Sequence, residues 1–254
     1  MNGSDMQIDR AMILAAGLGT RMRPITNHLP KPLVQVADRS LLDWSLDNLQ
    51  QGGISTVHVN VHHLADQIED HLHHRTAPAC VISDEREELL DSGGGVKKAM
   101  AEEEDGPFII LNGDCFWIDG QASNIARLKQ AWDPDRMDML LLVADDDQSC
   151  GYHGQGDFFL NDEDQLQRRG SADSAPYIYA GAIITTVSYI TQITETRFSL
   201  NKLFDMAIEN GRLCGLKLDG LWLHVGTPDS IGEAERAIER YSANTRSAPN
   251  VADR

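Results

Sequence analysis

The chain is poor in cysteine and in positive charge, and each shortage argues against a class of protein. Its four cysteines, Cys80, Cys115, Cys150 and Cys214, lie far apart without a CxxC pair, so the sequence predicts neither a disulfide framework nor a zinc site. Only 22 basic residues stand against 39 acidic ones. The resulting net charge of −17 argues against nucleic acid or an anionic membrane as a partner.

Long apolar segments are missing as well. No run approaches the ~20 residues that a bilayer-spanning helix needs, and the opening sequence MNGSDMQIDR lacks the apolar core of a signal peptide. We therefore expect a cytoplasmic protein with free thiols. The 254 residues, 41% of them hydrophobic, can bury a substantial core. We predict one domain over residues 1–254, with its core at 11–241 and frayed tails at 1–10 and 242–254.

Apolar runs typical of buried strands alternate with helical periodicity along most of the chain. Strands are predicted at Met12–Ala15, Thr56–Val61, Cys80–Ile82, Phe108–Leu111 and Met139–Val143. Helices are predicted at Leu41–Gln51, Leu64–His74, Gly93–Glu104 and Ser123–Trp132. This alternation predicts βαβ units and an α/β fold, a three-layer α/β/α sandwich with a Rossmann-like, mixed but mostly parallel sheet.

The pattern changes after Val143, and we predict an inserted β region over about residues 145–185. It contains a hairpin formed by Asp157–Leu160 and Gln165–Arg169 around an acidic turn, followed by a strand at Tyr177–Thr185. Beyond it the sequence predicts a helix at Leu200–Glu209, a strand at Arg212–Leu218 and a last helix that begins near Pro228.

The most informative segment follows the first predicted strand. Its sequence, Ala15-Ala-Gly17-Leu-Gly19-Thr-Arg21-Met-Arg23, is followed by Lys31 between two prolines, and no acidic residue occurs between Asp9 and Asp38. Glycines let backbone N–H groups approach a ligand, and arginine and lysine add positive charge. A basic segment in an acidic protein predicts a polyphosphate site. The spacing matches neither a Walker A loop nor the dinucleotide fingerprint, and an ordinary strand-to-helix turn is the alternative.

A second polar segment, Asn112-Gly113-Asp114, follows another predicted strand. Ligands of open α/β sheets bind beyond the carboxyl ends of the strands, so we expect this segment to face the same crevice as the glycine loop. The Asp114 carboxylate is a hard oxygen donor of the kind that Mg²⁺ prefers. A role in turn formation or helix capping is the alternative.

At this point the motifs indicate a family. The pattern L-A-A-G-x-G-T-R-M-x-P-x-T…P-K-P resembles that of sugar-1-phosphate nucleotidyltransferases, and within them the short uridylyltransferases of N-acetylmuramate-1-phosphate. The similarity covers residues 11 to about 241. It continues through Asp91–Gly95, Asn112–Asp114, Tyr179–Gly181, Phe198–Asn201 and Trp222–Pro228. The resemblance implies a fold of the nucleotide-diphospho-sugar transferase type and an enzyme that joins an NTP and a sugar-1-phosphate, releasing pyrophosphate.

The resemblance also implies roles for individual residues. The triphosphate would lie on the backbone of Ala15, Ala16, Gly17, Leu18, Gly19 and Thr20, with Arg21 at the leaving phosphates and Lys31 between the two reacting phosphates. Because the attacking phosphate oxygen is already anionic, no general base is expected. Ser92, Gly93 and Gly94 would contact the nucleobase or ribose. Asn112, Tyr179, Gly181 and Asn201 are candidates for the sugar pocket.

Four details of the substrates and the assembly stay open. Asp84, Glu85 and Asp91 are all candidates for base selection, with UTP expected and GTP the alternative. The sugar alternative is mannose-1-phosphate. Arg168 and Arg169 are candidates to meet an acidic substituent such as a lactyl carboxylate. We expect a monomer or a small homo-oligomer.

His224 departs from the family pattern, in which many relatives carry aspartate. Asp114 is the expected metal ligand, and imidazole binds Mg²⁺ less well than Mn²⁺ or Zn²⁺. Three alternatives follow. Asp114 and the phosphates hold Mg²⁺ while His224 only forms a hydrogen bond; a softer ion such as Mn²⁺ is preferred and His224 binds it; or catalysis is lost and the protein only senses nucleotide sugars. A dinucleotide oxidoreductase is disfavoured by the missing third glycine.

Overall fold

The computed structural model describes residues 7–247, in which fourteen strands and seven α-helices occur. The strands are β1 (Arg10–Leu14), β2 (Gln35–Val36), β3 (Arg39–Ser40), β4 (Thr56–Val61), β5 (Ala79–Asp84), β6 (Pro107–Asn112), β7 (Cys115–Asp119), β8 (Met139–Ala144), β9 (Ser149–Cys150), β10 (Phe158–Leu160), β11 (Leu166–Arg168), β12 (Ile178–Thr186), β13 (Leu213–Lys217) and β14 (Gly220–His224). The helices are α1 (Leu41–Gln51), α2 (Ala65–His73), α3 (Asp91–Ala99), α4 (Asn124–Ala131), α5 (Val187–Thr191), α6 (Leu200–Glu209) and α7 (Pro228–Ser247).

Seven strands form the central sheet in the order β13-β8-β12-β6-β1-β4-β5. Strand β1 pairs in parallel with β4 and β6, and the pairs β4–β5 and β8–β13 are parallel as well. Strand β12 alone among these seven runs antiparallel to its neighbours, β6 and β8. The mixed, mostly parallel sheet predicted from the sequence is therefore confirmed.

Helices cover both faces of this sheet, which explains why its strands are apolar on both sides. In β1, Ala11 and Ile13 face a core that includes residues of α1, α2 and α4. Met12 faces the opposite core, which includes residues of α3, α5 and α6. This alternation follows from the two-residue period of a strand. The result is the expected three-layer sandwich.

Local capping explains which helix boundaries the sequence predicts well. Helices α1 and α6 begin and end as predicted, because the side chains of Ser40 and Ser199 accept hydrogen bonds from N–H groups in the first turn. Helix α3 begins earlier and ends five residues before the predicted Glu104, at Ala99. There the chain turns towards the sheet, and Glu103 pairs with Arg10 of β1.

A small second sheet, β7-β14-β9, was not predicted. Strand β14 runs antiparallel to β7 and parallel to β9. Within the predicted inserted region, β10 and β11 form the expected hairpin. Strand β12 does not belong to an insertion: it lies between β6 and β8 in the central sheet. The sequence pattern assigns it to the insertion because it follows that hairpin directly.

Parts of both predicted frayed tails belong to the core or to regular elements instead. Ile8 is buried in the core, and Arg10 already belongs to β1, which lies between β4 and β6 in the central sheet. Helix α7 continues to Ser247, past the predicted end of the core at 241. Residues 1–6 and 248–254 lie outside the described residues. Between residues 7 and 247, none of the helices combines the length and the apolar character required to cross a membrane.

Candidate active site

A cavity of about 530 Å³, here called the main cavity, lies at the carboxyl ends of the parallel strands β1, β4, β5 and β6. Eleven of the predicted site residues line it. They are Ala15, Ala16, Gly17, Leu18, Gly19, Thr20, Arg21, Lys31, Ser92, Asn112 and Asp114. The two polar segments that follow β1 and β6 therefore meet in one crevice, as the strand-end argument predicts.

The glycine loop is held by the buried Thr26, the last residue of the L-A-A-G-x-G-T-R-M-x-P-x-T motif. The hydroxyl of Thr26 donates a hydrogen bond to the carbonyl oxygen of Gly19 over 2.8 Å. Gly19 adopts a left-handed conformation, with φ of 61°. A Cβ there would lie 2.9 Å from Thr26 Cγ2 and 3.1 Å from Lys31 Cβ. Gly19 is therefore required both by its backbone angle and by close packing.

Two cations converge on one carboxylate at the mouth of the main cavity. Lys31 Nζ lies 3.0 Å from Asp114 Oδ2, and Arg21 Nη2 lies 3.9 Å from the same oxygen. The Lys31 side chain is 12% exposed and that of Arg21 is 64% exposed. Pro30 and Pro32 restrict the backbone on both sides of Lys31 and so hold its side chain towards the carboxylate. The cluster carries net positive charge, which suits an anionic ligand.

His224 and Asp114 are brought together by the small sheet. Asp114 directly precedes β7 and His224 ends β14, and the N–H of Val225 donates to the Asp114 carbonyl oxygen over 2.9 Å. His224 Nε2 lies 3.8 Å from Asp114 Oδ2, while Nδ1 lies 3.2 Å from the carbonyl oxygen of Gly151. Because a carbonyl oxygen only accepts, we assign the proton to Nδ1. Nε2 is then turned towards the carboxylate.

The environment of Asp114 keeps its carboxyl group ionised. Burial by itself would raise the pKa of this group, but a His224 ring that carries a proton on Nε2 as well as on Nδ1, together with the Lys31 ammonium, outweighs it and holds the pKa well below its usual range. A metal ion bound at Nε2 would take the place of that second proton. A permanently charged oxygen donor beside an imidazole nitrogen is a set that can contact a divalent cation. Within residues 7–247, no group of three or more His, Cys, Asp or Glu side chains is arranged to hold a metal ion.

Gly93 and Gly94, the expected contacts of the nucleobase or ribose, have backbone N–H groups that are engaged within the protein. Both N–H groups donate to the carbonyl oxygen of Phe198, over 2.8 and 3.1 Å. A Cβ at Gly93 would lie 2.3 Å from the Phe198 ring, and one at Gly94 would lie 2.2 Å from the Thr196 carbonyl oxygen. These glycines let the segment before α6 approach α3, and neither lines the main cavity. Ser92 does line it, and its hydroxyl accepts from the N–H of Leu200.

Three candidates for the sugar pocket lie outside the wall of the main cavity. The first is Tyr179, whose hydroxyl is buried and has no hydrogen-bond partner in the described part of the chain. Burial, with smaller effects of Cys115 and Asp114, raises its pKa well above the usual value. The second, Gly181, has φ of 84°, and a Cβ there would lie 2.2 Å from Cys115 Sγ. Gly181 is therefore a packing position.

The third candidate, Asn201, is exposed on α6, and its side-chain oxygen accepts from Arg168 over 3.0 Å. Arg168 also pairs with Asp205. Arg169 donates to the carbonyl oxygens of Gly156 and Ala172. Both arginines are thus engaged within the protein, and neither lines the main cavity.

Of the three acidic candidates for base selection, Glu85 and Asp91 line the main cavity, whereas Asp84 is exposed and pairs with Arg86. Sequence reasoning missed Asn60, which also lines it. An asparagine near the carboxyl end of the predicted buried strand Thr56–Val61 was the signal that could have identified it, since a buried amide requires partners.

Comparison with known proteins agrees with this geometry. The MobA-like NTP transferase domain matches residues 11–200. The N-acetylmuramate alpha-1-phosphate uridylyltransferase of Caulobacter vibrioides is 42% identical over 232 residues, which cover 90% of this chain and 96% of that protein. A protein of the same name from Neisseria meningitidis serogroup B is 30% identical over 239 residues, covering 89% and 96%.

The fold has counterparts among solved structures. The inositol-1-phosphate CTP transferase of T. maritima superimposes with a TM-score of 0.75 at 16% identity, covering 96% of this chain and 98% of that one. At this identity the likeness concerns the fold, which is the one that the sequence predicts. Together with the family match over residues 11–200, it confirms the resemblance indicated by the motifs: the chain belongs to the family of the MobA-like NTP transferase domain.

Proposed function

We propose that this protein transfers a nucleotidyl group from an NTP to a sugar-1-phosphate and releases pyrophosphate, with UTP and N-acetylmuramate-1-phosphate as its substrates. The single observation that carries the proposal is the convergence of Lys31 and Arg21 on Asp114 at the mouth of the main cavity, 3.0 and 3.9 Å from its carboxylate. The names of the relatives from Caulobacter and Neisseria support the choice of substrates.

The reaction is a displacement at the α-phosphorus. An anionic oxygen of the sugar phosphate forms a bond to this phosphorus, and the bond to the β-phosphate oxygen breaks, so that pyrophosphate leaves with the electron pair. No proton has to move. The obstacle is repulsion between two anions, which positioning and positive charge overcome.

Different residues of the main cavity would bind the triphosphate, neutralise the leaving group and stabilise the reacting phosphates. The loop from Ala15 to Thr20 supplies backbone N–H groups to the triphosphate, and the exposed Arg21 neutralises the departing pyrophosphate. The largely buried Lys31 lies between the reacting phosphates and stabilises the charge that they share. Asn112, which lies at the end of β6 and lines the main cavity, would contact the sugar.

Asp114 and His224 fit a divalent metal ion, Mg²⁺ or Mn²⁺. Their donor atoms are 3.8 Å apart, and the His224 Nδ1 proton is held by the Gly151 carbonyl oxygen, which orients Nε2 as a ligand. Such an ion supplies further charge neutralisation to the phosphates when bound. With only two protein donors, substrate oxygens and water would have to complete its coordination.

The test is a panel of the four NTPs against several sugar-1-phosphates, read by released pyrophosphate. We expect the highest rate with UTP and N-acetylmuramate-1-phosphate. A higher rate with GTP and mannose-1-phosphate would replace the proposed substrates and keep the reaction. No release from any pair, with nucleotide binding intact, would favour a nucleotide-sugar sensor over an enzyme.

A further inference from the structure

A chain of three hydrogen bonds crosses the inner wall of the main cavity. The N–H of Ala15 donates to Asn60 Oδ1 over 2.7 Å. Asn60 Nδ2 donates to Glu85 Oε1 over 2.7 Å. The N–H of Leu90 donates to Glu85 Oε2 over 3.1 Å. The glycine loop after β1 is thereby connected, through β4, to the segment that leads into α3.

Both side chains in this connection are buried, Asn60 with 3% and Glu85 with 1% of its surface exposed. Glu85 forms no ion pair with any residue that the structure describes. Its carboxylate is therefore held by neutral N–H donors, and ionised groups buried without a counter-charge are costly to the folded state. A negative charge beside a phosphate-binding loop also opposes the ligand. Neither packing nor charge neutralisation explains why a glutamate occupies position 85.

Gly95 leaves the space that the side chains of Asn60 and Glu85 occupy. A Cβ at Gly95 of α3 would lie 2.6 Å from Glu85 Oε1 and 2.8 Å from Asn60 Nδ2. His62 Nδ1 lies 2.7 Å from the backbone carbonyl oxygen of Glu85, which fixes the main chain of the same residue. Side chain and backbone of Glu85 are thus both held in place.

We propose that Glu85 is a positioning residue that acts through Asn60 and the Leu90 N–H to keep the two walls of the main cavity at the separation a nucleotide requires. One wall is the loop that begins at Ala15, and the other is Leu89–Ser92. The inference rests on the proposed function in one respect, that the ligand of the cavity is a nucleoside triphosphate.

The donors and acceptors of this chain can be exchanged in a double variant without changing its length or net charge. In Glu85→Gln alone, either orientation of the new amide places an NH₂ group against another donor, Asn60 Nδ2 or the Leu90 N–H. In Asn60→Asp alone, two carboxylates face each other. When both changes are combined, the carboxylate introduced at position 60 accepts from the Ala15 N–H and from the amide introduced at position 85. The oxygen of that amide accepts from the Leu90 N–H, so all three hydrogen bonds are restored.

The experiment measures UTP affinity by calorimetry for the wild type, both single variants and the double variant, at a temperature at which circular dichroism shows each to be folded. We expect each single variant to bind UTP about 10- to 100-fold more weakly, as for a lost buried hydrogen bond. The double variant should return to within about threefold of the wild type. Glu87→Gln, the same change on an exposed neighbour, should leave the affinity unaltered.

Two results with these variants would overturn the inference. One is an unaltered UTP affinity in folded Glu85→Gln, even with a lowered Tm, since that describes a residue with a structural role alone. The other is a double variant that binds as weakly as the single ones. A wild type that binds UTP without releasing pyrophosphate from any substrate pair would defeat the proposed function and leave the positioning role testable. A wild type that binds neither UTP nor GTP would overturn both.

Discussion

His224 Nε2 lies 3.8 Å from Asp114 Oδ2 because strands β14 and β7 are neighbours in the small sheet. The pairing brings an imidazole to the position beside the carboxylate where many relatives carry a second aspartate. Imidazole is a weaker ligand for Mg²⁺ than a carboxylate is, and it binds Mn²⁺ better than it binds Mg²⁺. The presence of His224 beside Asp114 should therefore affect whether Mg²⁺ or Mn²⁺ supports the reaction better.

Replacing His224 by aspartate should lower the Mg²⁺ concentration needed for half-maximal pyrophosphate release, on the order of tenfold, because a second hard oxygen donor is gained. The preference for Mn²⁺ over Mg²⁺ should fall at the same time. Titrations of both ions against rate measure the effect, with His153→Asp, an exposed histidine, as the control. Identical titrations for His224→Asp and the wild type would remove His224 from the metal site, and complete inactivation would show that the imidazole itself is needed.

Lys31→Ala should reduce kcat by about 10²- to 10³-fold, the usual effect of removing one group that stabilises charge in a transition state. The change removes the ammonium 3.0 Å from Asp114, and neighbouring Arg21, which is largely exposed, cannot replace it. Steady-state kinetics on folded protein measure the loss. Lys202→Ala, on the exposed surface of α6, is the matched control and should keep the wild-type kcat. A near-normal kcat for Lys31→Ala would remove this lysine from the mechanism.

Much of the fold could be predicted because its main signals are local. The strand Thr56–Val61 and the helices capped by Ser40 and Ser199 depend on short apolar runs and on side chains one turn away. Strands β7 and β14 were not predicted because they pair with each other across a long stretch of the chain. The meeting of Asp114 with His224 depends on that distant pairing. Motif similarity named both residues as candidates, but their separation and orientation required the structure.

The glycine-rich segments show the other limit of sequence reasoning. Gly19 and Gly94 both belong to glycine-containing segments that follow a strand, Gly19 just before a short helical turn and Gly94 within the first turn of α3. At Gly19 the reason for glycine is a left-handed backbone in the loop that lines the main cavity. At Gly94 it is the Thr196 carbonyl oxygen from a distant segment. A glycine in the sequence indicates that space or backbone conformation is restricted at that position. The structure is needed to show which of the two applies and which neighbouring atoms cause it.

The two glycines of the loop after β1 should differ in their tolerance to alanine. A Cβ at Gly17 would meet no heavy atom within 4 Å among the described residues, whereas Gly19 has φ of 61° and a close Thr26 methyl group. Gly19→Ala should therefore destabilise the fold by at least about 1–2 kcal/mol, the strain of a left-handed alanine. Thermal unfolding should show a Tm lower by a few degrees, at about 2–4 °C per kcal/mol. Gly17→Ala should leave Tm unchanged, and equal losses in the two variants would contradict this account of the loop.

Stability should also fall on mild acidification, through a buried histidine remote from the main cavity. Burial lowers the pKa of His58 on β4 below its usual value of 6.5, although Glu103, with Oε1 3.1 Å from its Nε2, opposes the shift, while Arg10 adds to it. The unfolded chain therefore takes up a proton near pH 6.5 that the folded protein resists, so the free energy of unfolding decreases as the pH falls below this value.

Glu103 adds to this loss at lower pH. Arg10 donates a hydrogen bond of 2.8 Å to the Glu103 carboxylate and lowers its pKa below the usual 4.5. The contribution of Glu103 to the free energy of unfolding is therefore lost only as the pH falls below 4.5. Urea unfolding of the wild type and His58→Gln at about pH 7.5, 6.0 and 5.0 separates the two groups. The variant should lose less stability across that interval, whereas His153→Gln, with its side chain 80% exposed, should follow the wild type. If His58→Gln and the wild type lose the same free energy between the two extremes, His58 is not the residue that senses acid.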